Sequence, residues 1–270
     1  MEGTLSAARP PVVALLCRTS DREGFRADGA AAVAEAIAQR LGTGARMIGR
    51  GGEPRVTTYD EDLVEARGCL LEAGGQIADA LHAGGVPILT AGSCSICVTT
   101  LGAVMDERPN AFVLWLDAHA DFNAPATTPS QFLGGMCLAG ACGVWDTGFG
   151  AKLDPSRIVM CGVRDVDPGE LELLDRHHVS RIDKPSRLAD ALAGREVFVH
   201  LDVDVLDPSV VDGLAYPAPG GFSGEGLTRL LAGVAATAHV VGVEVAGCPN
   251  AAAAQLIAPA VEAAVAFRSP

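Results

Sequence analysis

Two apolar stretches of this chain run directly into acidic residues. They are Ala111-Phe-Val-Leu-Trp-Leu-Asp117-Ala-His-Ala-Asp121 and Val197-Phe-Val-His-Leu-Asp202-Val-Asp204. Short, nearly continuous apolar runs are typical of strands that are buried on both faces, and such strands belong to parallel sheets covered by helices. The two stretches therefore predict an α/β fold in which polar residues begin where buried strands end.

The rest of the chain repeats this alternation of short apolar runs and stretches of helical period. It predicts a three-layer α/β/α sandwich with a mostly parallel sheet of about eight strands, formed by a single domain over residues 1–270. The predicted strands are Val12–Cys17, Arg46–Ile48, Val86–Ala91, Ala111–Asp117, Arg157–Gly162, Val179–Ile182, Val197–Asp202 and Val240–Val245. The predicted helices are Gly29–Leu41, Asp60–Ala83, Ser95–Glu107, Phe132–Gly140, Pro168–His177, Gly224–Ala236 and Ala251–Phe267.

Composition narrows the class of function. Hydrophobic residues make up 49% of the chain and the formal net charge is -13, so an acidic surface would repel the phosphates of a nucleic acid. The sequence contains neither a signal peptide nor an apolar run long enough for a membrane span. The eight cysteines are expected to be reduced thiols. These features predict a cytoplasmic enzyme with a small-molecule substrate; a homo-oligomer is possible but nothing indicates one.

The acidic residues at the two strand ends have a spacing that suggests a metal site. Asp117, His119 and Asp121 alternate where one strand ends, and Asp202 and Asp204 follow the same alternation on another. Clustered carboxylates repel one another unless cations neutralise them, and a set of oxygen ligands with one imidazole suits Mn²⁺ better than Zn²⁺. A pair of ions would generate a hydroxide nucleophile at neutral pH. The alternative is that these residues only cap helices and form turns.

The same two segments resemble the signature segments of the ureohydrolases, which include arginase, agmatinase, guanidinobutyrase and formimidoylglutamase. The resemblance covers residues 87–245 and implies the arginase fold with two Mn²⁺ ions. It implies that Asp117 and Asp202 bridge the ions, with Asp121 on the first ion and His119 and Asp204 on the second. Asp121 is thereby also assigned to the catalytic machinery.

Further segments resemble the parts of arginase that bind an α-amino acid. In Arg164-Asp-Val-Asp-Pro-Gly-Glu170, the resemblance assigns Asp167 to the substrate's α-ammonium group. In the loop that begins at Asn123, it assigns Asn123, Thr128 and Ser130 to the α-carboxylate. Glu244 matches the glutamate that orients the guanidinium, with which a carboxylate can form two parallel hydrogen bonds. The resemblance thus implies an arginine-like substrate.

The chain departs from the family pattern at the first metal site. Where the family has Gly-Gly-Asp-His-Ser, this chain has Ala91-Gly-Ser-Cys-Ser95, so Cys94 stands in place of a histidine ligand. A thiolate is softer than an imidazole and should weaken the preference for Mn²⁺, although the start of the following helix would favour ionisation of Cys94. Cys94 and Cys97 also form a C-x-x-C pair, but Cys97 is expected in the core. His200 replaces a small family residue, with orientation of a ligand as one alternative and a purely structural role as the other.

A second departure concerns the proton donor. The arginase histidine that shuttles protons to the leaving amine is replaced by Gly134, and a polar contact to the carboxylate is replaced by Phe132. Loss of a general acid commonly costs about 10²–10⁴ in rate. An N-hydroxyl group makes a guanidine less basic, so this departure favours Nω-hydroxy-L-arginine, cleaved to hydroxyurea and ornithine. The combination resembles the hydroxyarginine-cleaving branch of the family, which belongs to D-cycloserine biosynthesis. The alternatives are an ordinary L-arginine hydrolase and a non-catalytic amino-acid-binding homologue.

Overall fold

The computed structural model describes residues 10–22 and 27–266. Eight strands form one sheet, and each pair of neighbours is parallel. They are β1 (Val12–Leu15), β2 (Ala45–Ile48), β3 (Ile88–Thr90), β4 (Phe112–Leu116), β5 (Ile158–Cys161), β6 (Ser180–Arg181), β7 (Glu196–Asp202) and β8 (His239–Ala246). Their order across the sheet is β2-β1-β3-β8-β7-β4-β5-β6. The predicted parallel α/β sheet is confirmed.

Helices cover both faces of this sheet. They are α1 (Ala27–Leu41), α2 (Tyr59–Glu65), α3 (Arg67–His82), α4 (Cys97–Glu107), α5 (Cys137–Ala141), α6 (Pro168–Arg176), α7 (Leu188–Leu192), α8 (Gly224–Thr237) and α9 (Ala254–Val265). Helices α3, α4 and α5 pack on one face of the sheet, while α1, α8 and α9 pack on the other, and each face has its own apolar core. The three-layer arrangement follows from strands that are apolar on both sides.

Several helices differ from their predicted bounds. The single helix predicted at residues 60–83 divides at Ala66, and the short α2 is held by the buried Asp62, whose carboxylate lies 2.8 Å from a guanidinium nitrogen of Arg18. Helix α5 is shorter than predicted because residues 134–136 form a 3₁₀ turn with two glycines, which have low helix propensity. Helix α7 was not predicted. The predicted end of the last helix, Phe267, lies outside the described residues, and the single-domain prediction for residues 1–270 stays a prediction.

The cysteines differ from the expectation of eight reduced thiols. Cys17, just after β1, forms a disulfide with Cys69 on α3, 52 residues further along the chain. Contact between two residues so far apart in sequence depends on how α3 packs on the sheet, which cysteine spacing does not reveal. The remaining six cysteines form no disulfide within the described residues, and five of them are buried.

The order of the central strands determines where polar side chains come together. Strands β3, β8, β7 and β4 are consecutive neighbours, and all of their carboxyl ends lie at one edge. Ligands of open parallel sheets bind outside this edge, near the positions where strand order reverses. The residues after β3 and β4 and at the end of β7 are therefore brought together. Within residues 10–22 and 27–266, no helix combines the length and apolar character that a membrane crossing requires.

Candidate active site

A cavity of about 440 Å³ opens at the carboxyl edge of the sheet. Its size lies within the range typical of small-molecule sites. Its walls combine acidic and amide groups with the ring of Phe132 and the ring of Tyr216, which comes from the long loop before α8. The predicted site residues that line the cavity are Cys94, Asp117, His119, Asp121, Asn123, Ser130, Asp167 and Asp204.

The segment after β4 contributes three of the predicted metal ligands. Asp117 is buried, and its carboxylate accepts a hydrogen bond from the backbone N–H of His119 at 2.7 Å. Asp121 has a φ of 50°, a left-handed conformation that aspartate tolerates better than most residues. The simple strand alternation predicted from sequence is therefore interrupted, since β4 ends at Leu116 and Asp121 reaches the cavity through a bend.

The end of β7 contributes the second acidic pair. Asp202 and Asp204 are both buried, and the Asp202 carboxylate accepts a hydrogen bond from the backbone N–H of Asp204 at 2.8 Å. The Asp204 carboxylate accepts from the backbone N–H of Ala118 at 3.1 Å and lies 3.0 Å from Nδ1 of His119. These contacts join the ends of β4 and β7 and fix the separation of their carboxylates.

Cys94 lies beside these carboxylates as a protonated thiol. Its Sγ donates to Oδ2 of Asp202 at 2.8 Å and lies 3.8 Å from Oδ2 of Asp117. Burial, with the negative charges of Asp202, Asp121 and Asp117, raises the pKa of the Cys94 thiol well above its usual value. Cys94 belongs to a 3₁₀ turn before α4, and burial and the neighbouring charges oppose the ionisation expected at a helix start.

The pKa values of the other groups show a strong excess of buried negative charge. Burial raises the pKa values of Asp202 and Asp204 to about 6, and repulsion from Asp204 and Asp117 respectively adds to the effect. Burial and the charge of Asp117 raise the pKa of Asp121 well above its usual value. Although burial disfavours the charged form of His119, hydrogen bonds to Asp117 and Asp204 raise its pKa to about 12.

This donor set is suited to a pair of divalent cations. Ligand atoms of Asp117, His119 and Asp204 lie within 4.8 Å of one another, and a second group with the same spacing contains Cys94, Asp117 and His200. Asp117 belongs to both groups, as a bridging ligand would. Bound cations would remove the electrostatic repulsion that the raised carboxylate pKa values report, so the residues fit the metal pair that the sequence predicts.

The raised carboxylate pKa values predict that the metal-free protein loses stability as pH rises. Asp202 has a folded pKa of about 6 against an ordinary value of 3.8. The folded state therefore binds more protons, so the stabilisation is complete below 3.8 and is lost as pH rises through about 6. His119 acts in the same direction between 6.5 and about 12. We expect the Tm of chelator-treated protein to fall by roughly 5–10 °C between about pH 4 and pH 7.

Differential scanning calorimetry with and without Mn²⁺ checks this expectation. Because metal ligands must lose their protons, added Mn²⁺ should raise the Tm more at about pH 7 than at about pH 5. Mg²⁺ at the same concentration serves as the matched control for ionic strength. An equal or smaller Mn²⁺ effect at the higher pH would contradict the assignment of these carboxylates as cation ligands.

The residues predicted to bind an amino acid occupy different positions around the cavity. Asn123 donates from Nδ2 to Oδ2 of Asp167 at 3.0 Å, and its buried Oδ1 has no hydrogen-bond partner. Ser130 lines the cavity, and its hydroxyl accepts from the backbone N–H of Phe132. Thr128 does not line the cavity, and its hydroxyl oxygen accepts from the backbone N–H of Gln131. Glu244 does not line it either and is completely buried.

Gly134 stands where the sequence resemblance places a proton-donating histidine in arginases. A Cβ atom at this position would lie 2.5 Å from the ring of Phe132, which fills the adjacent space. The same ring lies 5.0 Å below the guanidinium of Arg22 and 5.5 Å from the ring of Tyr216. A larger residue at position 134 therefore requires Phe132 to move.

Three residues matter here more than their sequence positions suggested. Glu170 lines the cavity, and its carboxylate accepts from the backbone N–H groups of Phe122 and Asp167, which ties α6 to the loop after β4. Burial raises the pKa of Glu170 to about 7. Tyr216 forms part of the cavity wall, and it lies in a loop in which the sequence shows no recognisable motif. His200 is completely buried beside Glu244. In the sequence, only its position two residues before Asp202 pointed to a role.

Comparisons with known proteins agree with this fold and show the family. The arginase family matches residues 17–266. The chain is 34% identical over 233 residues to the N(omega)-hydroxy-L-arginine amidinohydrolase of Streptomyces lavendulae, covering 85% of each chain. It is 36% identical over 191 residues to an arginase of Eremothecium gossypii, covering 63% of this chain and 48% of that protein. The structure resembles the arginase of Bacillus caldovelox with a TM-score of 0.79 at 21% identity, covering 96% of this chain and 99% of the other.

The parallel sheet, with an acidic cavity at its carboxyl edge, defines an α/β protein with a candidate cation-binding site. The family match extends over nearly all of the described residues. The chain belongs to the arginase family and is a hydrolase that acts on guanidine-type C–N bonds.

Proposed function

We propose that this enzyme uses Mn²⁺ to hydrolyse Nω-hydroxy-L-arginine to hydroxyurea and L-ornithine. The observation that carries the proposal is the site around Gly134, where the ring of Phe132 fills the space in which arginases have a proton-donating histidine. The similarity to the Streptomyces lavendulae amidinohydrolase supports the same substrate. We propose in addition that the enzyme is cytoplasmic.

The acidic residues of the two strand ends would hold the cations. Asp117 and Asp202 would bridge two Mn²⁺ ions, with Cys94 and Asp121 on the first. His119 and Asp204 would hold the second, consistent with the clustering of their ligand atoms around Asp117. When bound, the ion pair supplies a water of lowered pKa as the nucleophile at neutral pH.

The opposite side of the cavity would recognise the amino-acid end of the substrate. Asp167 would bind the α-ammonium group, since its carboxylate lines the cavity and is held by Asn123. The hydroxyl of Ser130 and, after a rearrangement of its loop, that of Thr128 would donate to the α-carboxylate. Asn123 would complete this contact through its side-chain amide. These contacts fix the distance between the amino-acid end and the acidic cluster, which positions the guanidine carbon for attack.

One carboxylate would transfer a proton during hydrolysis, and a second would orient the substrate. Asp121 would accept the proton of the attacking water and pass it to the departing nitrogen of ornithine as the C–N bond breaks. Glu244 would orient the guanidine, which requires its carboxylate to exchange a present hydrogen bond for one to the substrate. At present, its Oε2 accepts from Thr100 at 2.6 Å and its Oε1 lies 2.7 Å from Nδ1 of His200.

The substrate's hydroxyl group explains why a separate general acid is dispensable. Oxygen withdraws electron density, so the hydroxyguanidine is less basic than the guanidinium of arginine, whose pKa is roughly 12.5–13.8. The departing amine must still accept a proton, which Asp121 would pass on and which the N–OH group of the substrate would relay in place of a side chain at position 134. Arginine lacks this advantage and would meet a site without an ionisable group at position 134.

Steady-state kinetics with both substrates tests the proposal. We expect kcat/KM for Nω-hydroxy-L-arginine to exceed that for L-arginine by about 10²-fold or more in Mn²⁺-loaded protein, the magnitude of a missing general acid. The chelator-treated protein should be inactive until Mn²⁺ is restored. Equal or better hydrolysis of arginine would replace the proposal with an ordinary arginase. Failure to hydrolyse either substrate in metal-loaded protein would favour the non-catalytic amino-acid-binding alternative.

Variants of the Gly134 site serve as a matched control. Gly134→His alone should raise arginine hydrolysis less than a variant that also replaces Phe132, because its side chain must first displace the Phe132 ring. The double variant Phe132→Asn, Gly134→His removes the ring and supplies an imidazole, so arginine hydrolysis should rise. If the double variant gives no gain while it remains folded and metal-loaded, the missing proton donor is not what limits arginine hydrolysis.

A further inference from the structure

His200 has a buried ring nitrogen without a hydrogen-bond partner. The residue lies on β7 and has no exposed surface. Its ring stacks on Trp115 with a centroid separation of 3.6 Å and an interplanar angle of 2°. Its Nε2 is one of the few buried side-chain polar atoms among the described residues that lack a partner. Such an atom is unfavourable unless something absent from the protein chain satisfies it.

The other side of the ring shows which nitrogen carries the hydrogen. Nδ1 lies 2.7 Å from Oε1 of Glu244, and a carboxylate can only accept, so Nδ1 is the donor. Oε2 of Glu244 accepts from the hydroxyl of Thr100 at 2.6 Å, which fixes the carboxylate. When Nδ1 carries the only hydrogen of the ring nitrogens, Nε2 has a free lone pair. A histidine that binds a metal commonly donates its other ring N–H to a carboxylate in this way.

A ring nitrogen of His200 lies close to two predicted ligands of the first cation. Ligand atoms of His200, Cys94 and Asp117 all lie within 4.8 Å of one another. Ligands about 2.0–2.3 Å from one ion lie roughly 3–4.5 Å apart, so small adjustments would allow all three to bind the same ion.

We propose that His200 is a ligand of the first cation and that Glu244 positions it. This inference rests on the proposed metal-dependent function. Cys94 occupies the position where the family pattern has a histidine, and His200 occupies a position where it has a small residue. Relative to the family pattern, the imidazole stands near the carboxyl end of β7 instead of in the loop after β3. The first site keeps one nitrogen donor and gains a sulfur donor.

Paramagnetic proton NMR of the cobalt-substituted protein tests for a bound His200. The hydrogen on Nδ1 of a coordinated His200 is buried and bonded to Glu244, so it should give a strongly shifted, slowly exchanging resonance. We expect this resonance in the unaltered protein and in His239→Ser, a matched change at the exposed start of β8. It should disappear in His200→Ser, with at least a ~10-fold loss of affinity for the first cobalt ion.

A double variant tests the exchange of positions directly. Cys94→His in the His200→Ser background restores the arrangement of the family pattern and should recover the affinity for the first ion. Recovery supports the inference. A persistent resonance or unchanged cobalt affinity in folded His200→Ser would overturn it, since His200 would then only fill space.

An experiment without substitutions guards against a His200 variant that fails to fold. Anomalous diffraction from Mn²⁺-soaked crystals of the unaltered protein locates the ions directly. An ion about 2.0–2.3 Å from Nε2 supports the inference, whereas a filled first site more than about 3 Å from Nε2 overturns it. Two bound ions that both avoid His200 would leave the proposed function intact. Protein that binds no divalent ion would refute both.

Discussion

An Asp117→Asn protein is expected to lose tight binding of both cations and about 10³-fold or more in kcat/KM. Asp117 belongs to both groups of clustered ligand atoms, so each cation depends on its charge. The amide keeps the shape of the side chain, and its oxygen can still accept from the backbone N–H of His119. The substitution therefore removes mainly one negative charge from the centre of the site.

The same substitution should change thermal stability in opposite directions with and without metal. Loss of a buried charge relieves repulsion with Asp121 and Asp204, whose raised pKa values reflect the charge of Asp117. Metal-free Asp117→Asn should therefore melt at a higher temperature than the metal-free parent, whereas added Mn²⁺ should no longer raise its Tm.

Metal analysis and scanning calorimetry measure both effects. Asp106→Asn is the matched control, because it makes the same chemical change at an exposed residue of α4 that pairs with Lys152. The control should keep the metal content and melting behaviour of the parent. An Asp117→Asn protein that retains two ions per chain would refute the bridging role.

The strands that carry the site were largely predictable from local sequence. β4 and β7 lie within one residue of their predicted bounds, because each is a short apolar run that ends at an aspartate. Helix boundaries were harder to predict from the sequence. The division at Ala66 coincides with a buried ion pair between Asp62 and Arg18, two residues that are distant in sequence.

The candidate site was predictable where it depends on strand ends and not where it depends on packing. Parallel strands bring Asp117 and Asp202 to one edge, so the acidic cluster follows from the motif spacing. The collision between position 134 and the Phe132 ring depends on how a loop folds back on itself. The partnership of His200 with Glu244 depends on the register of β7 and β8, in which the two residues are paired directly.

Cys94 shows how a local rule can give the wrong result. A position at the start of a helical segment favours a thiolate, and this was the expectation from sequence. The structure surrounds the thiol with the carboxylates of Asp117, Asp121 and Asp202, and their charges, together with burial, raise its pKa. A bound cation would reverse this balance, because a metal deprotonates a coordinating thiol. Ionisation of Cys94 is therefore expected to depend on the metal rather than on the helix.

Asp167 is the residue on which discrimination between substrates should depend. It lies at the N-terminus of α6, where its side chain and that of Glu170 form a capping box. Asparagine caps a helix as well as aspartate does, so Asp167→Asn should preserve the helix and remove only the charge. Asp175→Asn, at an exposed residue of the same helix that pairs with Arg181, is the matched control.

Asp167→Asn is expected to raise the KM for Nω-hydroxy-L-arginine by roughly 10–150-fold, the value of a hydrogen bond between charged groups. The effect on kcat should be smaller, because the acidic cluster that would hold the cations is unchanged. For an analogue that lacks the α-amino group, KM should differ little between the parent and Asp167→Asn, since the analogue does not make this contact. Steady-state kinetics of parent, Asp167→Asn and Asp175→Asn with both compounds measures the difference. If the substitution Asp167→Asn raises KM equally for both compounds, Asp167 shapes the cavity instead of binding the α-ammonium group. Another residue must then select for amino acids.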